Sequence, residues 1–61
     1  MNAKNAYQAA TVDEKRQMCV LAVQAIAVAP QLTKGIKTPE ELAALVNKTA
    51  EAIYMATEPE F

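Results

Sequence analysis

The sequence predicts an all-α protein, an antiparallel helical hairpin with helices over about 12–29 and 39–56. Two Thr-x-x-Glu boxes, Thr11–Glu14 and Thr38–Glu41, each open a long segment with helical apolar spacing. Between those segments stand Pro30 and Gly35, the latter the only glycine of the chain.

Residues 1–10 have high helix propensity and no breaker, with Ala3, Ala6, Tyr7 and Ala10 on a weak stripe anchored by Tyr7. They read as a short helix or an arm. The first long helix starts at the Thr11 cap. Its apolar face takes Val12, Met18, Cys19, Ala22, Val23, Ala25, Ile26 and Ala29. Asp13, Gln17, Gln24 and Gln31 run along the other side, but Val20, Leu21, Ala27 and Val28 crowd that polar line. Met18–Ala29 is therefore apolar nearly all round, the pattern of a helix covered on more than one side. Pro30 ends it, because the proline ring collides with the carbonyl four residues back.

The connection can hold an extra turn from Pro30, closed by Gly35 in the left-handed conformation, with Leu32 and Ile36 clipping it to the core. The second helix has Pro39 at its first position, where a missing N–H costs nothing, and Glu40 and Glu41 against the positive end of its dipole. Leu42, Leu45, Val46, Thr49, Ile53 and Ala56 form its apolar stripe, with Glu40, Ala44, Asn47, Glu51 and Glu58 opposite. Tyr54 and Met55 leave the centre of that stripe, so they either make a second contact surface or wrap the core edge. Residues 57–61 leave an acidic tail in which Phe61 tucks back or anchors on a neighbour.

The whole reads as one small domain over 1–61, and its material for a core is thin. Apolar residues are 52% of the chain, yet thirteen of them are alanine and only Tyr7, Tyr54 and Phe61 are aromatic. A core of this size rarely supplies more than about 3–5 kcal/mol. One cysteine and no histidine rule out an internal disulfide or a His-based metal site as a staple. Association into a dimer or larger homo-oligomer is the expected remedy. Charge is also divided. Lys4, Lys15, Arg16, Lys34 and Lys37 outweigh Asp13 and Glu14 before residue 38, whereas Glu40, Glu41, Glu51, Glu58 and Glu60 outweigh Lys48 after it. Opposite halves suit antiparallel or head-to-tail packing of subunits.

Composition excludes several chemistries. Without His or Ser there is no His-based nucleophilic triad, and one glycine cannot make a Gly-rich phosphate loop. Glu40 and Glu41 point different ways on a helix, and Cys19 lies on the core face as a packing group. An enzyme is not expected, nor a cofactor or metal. A DNA reader would need basic and amide residues on the exposed face of its second helix, where Glu40, Asn47 and Glu51 stand instead. The apolar run after Lys15 and Arg16 is too short to span a bilayer and is spoiled as a leader by Asp13, Glu14 and Gln24. A cytoplasmic protein that does not enter membranes is expected.

The capped apolar helix, the K-G-I-K-T-P-E-E-L loop and helix start, and the Ala-rich A-A-L-V-N-K-T-A-E-A-I end resemble the short all-α accessory proteins of tailed phages and prophages. That resemblance implies a protein that binds and alters a host protein, or one that sequesters a small signalling molecule. Two contact sets arise from the residues themselves. Val20, Leu21, Gln24 and Val28, with Tyr54, Met55 and Phe61, are candidates for a protein interface. Lys15, Arg16, Lys34 and Lys37 could hold an anionic, nucleotide-like ligand at a subunit junction, since the two pairs fall near opposite ends of one helix.

Overall fold

The computed structural model describes residues 5–57, and its order is a turn, a helix, a 3-10 turn and a second helix. Helix α1 spans Val12–Ala27 and α2 spans Pro39–Ala56; they pack on each other as a helical hairpin, with no strand among the described residues. Both starts are the predicted boxes. The Thr11 hydroxyl accepts from the Glu14 N–H at 3.1 Å and the Thr11 N–H donates to Glu14 Oε1 at 2.9 Å. Thr38 and Glu41 repeat this, and Glu41 Oε1 also accepts the Lys37 N–H at 2.9 Å. These bonds favour the ionised carboxylates. The Thr11 backbone N–H, then its hydroxyl, holds Glu14 below its ordinary pKa; for Glu41 the Lys37 N–H is the chief cause.

Helix α1 stops at Ala27, two residues short of the predicted Ala29. Pro30 acts earlier than its own position: its ring excludes the Ile26 carbonyl, and it pushes Ala29 out of the helical region to φ −134°, ψ 66°. The last N–H groups tighten to 3-10 spacing, Val28 on Ala25 and Ala29 on Ile26. Pro30–Thr33 then forms the expected extra turn, and Gly35 has φ +85°, a left-handed conformation that glycine adopts without strain. Leu32 is no clip, however. It stays exposed on the short 3-10 turn, while Ile36 is half-buried.

The helices meet along small residues. Ala22 of α1 and Ala50 of α2 have no exposure at all, and Met18, Cys19, Val46, Ile53 and Tyr54 pack round them. Small side chains at the seam let the backbones approach closely, and the seam is consequently narrow. Val23 stands about 100° round α1 from Ala22 and Val12 about 80°, at 3.6 residues per turn; both were expected in the core and both are exposed. Leu42, about 80° from Ala50 on α2, is exposed for the same reason, as is Ala56.

The N-terminal segment is one tight turn that closes the hairpin. Asn5 Oδ1 accepts the Gln8 N–H at 2.8 Å, and the Asn5 N–H donates to Gln8 Oε1 at 3.1 Å. This is the reciprocal logic of the capping box, built on Asn and Gln. The turn drops Tyr7 onto the seam with 7% exposure. Its ring meets Tyr54 edge-on, with centroids 5.7 Å apart, and its hydroxyl lies 3.8 Å from Cys19 Sγ. Asn5 Nδ2 donates to Glu51 Oε2, so Glu51 is half-buried and bonded where a solvent-facing position was expected. Residues 1–4 and the acidic stretch 58–61, Phe61 included, lie outside the described residues.

Candidate functional site

Placing Ala22 on the seam turns the opposite side of α1 outward. In its last two turns that side carries Val20, Leu21, Val23, Gln24, Ala27 and the capping residue Val28, every one of them exposed. Val28 is 84% exposed, Val20 58% and Leu21 44%. Single exposed valines are ordinary, but a contiguous apolar face on consecutive helical turns is the mark of a contact surface. An open depression of about 330 Å³ interrupts it, lined by Gln17, Met18, Val20 and Leu21. Gln24 is the one polar side chain in the middle of the face.

The structure thus brings Val20, Leu21, Gln24 and Val28 together as the sequence proposes, and adds Val23. That addition was missed because Val23 fits the apolar stripe equally well. With Ala22 fully buried on the seam, Leu21 and Val23, about 100° to either side of it, both stay exposed. Tyr54 does not belong to this surface. It is half-buried against Tyr7, an edge-to-face pair that takes up its ring. Met55 beside it is exposed, but on α2.

The basic residues are not gathered. Lys15 and Arg16 sit in the first turns of α1, whereas Lys34 and Lys37 come after its end. About 18 Å of helical rise separates Arg16 from Val28, where the connection begins. One chain does not assemble the four into a single anion site. Among the described residues no group of His, Cys, Asp and Glu is placed to hold a metal ion, and no helix is long and apolar enough to cross a membrane. Cys19 is half-buried between the Tyr7 hydroxyl and Asn47 Oδ1, the latter 3.9 Å from its Sγ. Among the described residues its side-chain partners are these two, neither of them basic.

The outer face of α1 is therefore the surface with the strongest physical claim to a role. Neither protein-family models, nor curated proteins, nor solved structures give a match to this chain.

Proposed function

We propose that this chain is a non-enzymatic protein-interaction module, with the outer face of α1 as its docking surface. The observation that carries the reading is the uncovered apolar face itself: Val20, Leu21, Val23 and Val28 are exposed, turned away from a seam centred on Ala22 and Ala50. Leaving such a face in water costs about 25 cal/mol per Å² that burial against a partner would recover. A helix face read at i, i+3, i+4 and i+7 is a standard way for one protein to engage another. The resemblance to phage accessory proteins gives the module a role in keeping with its chemistry. It alters a partner by occupying it, with no bond made or broken.

The test is capture on immobilised protein, comparing the native chain with Val20→Lys. Val20 is already open to solvent, so the lysine leaves the fold intact, which circular dichroism checks. Proteins retained by the native chain and released by Val20→Lys support the reading. Retention of the same proteins by both forms would move the docking surface elsewhere.

A further inference from the structure

We infer that the first occupant of the α1 face is a second copy of this chain, packed antiparallel about a two-fold axis that passes through Gln24. The inference rests on the reading of that face as a docking surface and names its partner. Three observations converge on it.

The face is symmetric about Gln24. Four residues before it stands Val20 and four after it Val28, both strongly exposed; three before it stands Leu21 and three after it Ala27. A two-fold axis at Gln24 sets Val20 against Val28 of the other copy, and Leu21 against Ala27, so that apolar meets apolar throughout. It does so twice, because an isologous contact repeats each pair.

Shape agrees with this register. Val28 is, at 84%, the most exposed of the large apolar side chains described, and it stands at the end of α1. In the antiparallel register it comes to the level of Val20, beside the depression lined by Gln17, Met18, Val20 and Leu21. A protruding side chain on one copy thus faces an open hollow on the other, the complementarity on which helix pairs are built.

Polarity and charge choose the orientation. A carboxamide carries both donor and acceptor, so two Gln24 side chains satisfy each other across the axis. A single polar residue in an apolar helix face is a known device for fixing register. Parallel pairing would bring Lys34 and Lys37 of both copies to one end, whereas antiparallel pairing sends them to opposite ends. There they meet the first turns of α1, where Asp13 and Glu14 balance Lys15 and Arg16.

Sedimentation at two concentrations, then cysteine cross-linking, tests the arrangement. The native chain should sediment as a dimer at the higher concentration, and Val28→Lys should weaken association by about a hundredfold or more, because the two-fold axis makes each dimer lose two buried valine contacts. In a Cys19→Ala background, Gln24→Cys should oxidise with diamide to a covalent dimer, because thiols on the axis come within the roughly 7 Å of Cα separation that a disulfide spans. Val28→Cys alone should not, since its two copies lie about 12 Å apart along the helices. A dimer that cross-links through residue 28 and not through 24 overturns the antiparallel register. A monomer at both concentrations overturns self-association. In that case Val20-dependent capture of another protein would leave the docking face standing, and its absence would remove both.

Discussion

Tyr7 ties three parts of the molecule at one point: the N-terminal turn, Cys19 on α1 and Tyr54 on α2. Burial is the main cause that raises its pKa above the ordinary 10.0, helped by the Cys19 contact and the Glu51 carboxylate. The folded state thus prefers the neutral phenol. Its stabilising contribution is complete below pH 10.0 and is lost as pH rises from that value through the higher folded one. Urea midpoints should therefore drop above pH 10.0, and Tyr7→Phe, which keeps the ring, should remove Tyr7's share of that drop. An identical alkaline fall in the variant would show that the phenol does not report on folding. Tyr7 was legible in the sequence as an anchor, since it is the one aromatic in an alanine-rich segment. Ala50 was not. Hydropathy gives weight to Leu, Ile and Val, whereas the place where two helices come closest selects the smallest side chain.

At the scale of elements, the starts were legible and the ends less so, for a physical reason. A start is announced by local chemistry, a hydroxyl and a carboxylate three residues apart. The Asn5–Gln8 turn obeys the same rule and could have been found by it. An end depends on the residues beyond it, and Pro30 shortens α1 through residues 26 and 29 before its own position is reached. The caps give a quantitative expectation. Thr11→Ala and Thr38→Ala should each cost about 1 kcal/mol, read as a lower urea midpoint at neutral pH. Because Glu14 and Glu41 are held below their ordinary value of 4.5, their contribution is present above that pH and is lost as pH falls through the lower folded values. Each Thr→Ala change should also flatten the acid limb, since it removes one of the bonds that favour the carboxylate. A variant with an unchanged acid limb would mean that the Lys37 and cap N–H groups hold the charge unaided.

For the molecule as a whole, the hairpin could be read from periodicity, and so could the surplus of apolar surface on its first helix. The occupant of that surface could not be read, because its chemistry resides on another chain unless the other chain is the same one. The proposed self-pairing would make it legible, through the symmetry of Val20, Leu21, Gln24, Ala27 and Val28. It would also couple folding to concentration. Among the described residues the buried side chains are Tyr7, Ile26 and two alanines, so these hold little apolar area against the entropy of ordering a lone subunit. In the proposed dimer a second copy would add the valine-rich face to that core. Each tenfold rise in protein concentration should then raise the free energy of unfolding by about 1.4 kcal/mol per dimer, seen as a thermal midpoint that climbs with concentration. Val28→Lys should lower that midpoint and make it independent of concentration, while Met55→Lys, exposed on α2 and away from the axis, should keep the native slope. The contrast between these two lysines is the decisive reading. Both replace an exposed apolar side chain, so a general effect of added charge moves them together, and only a contact centred on Gln24 separates them.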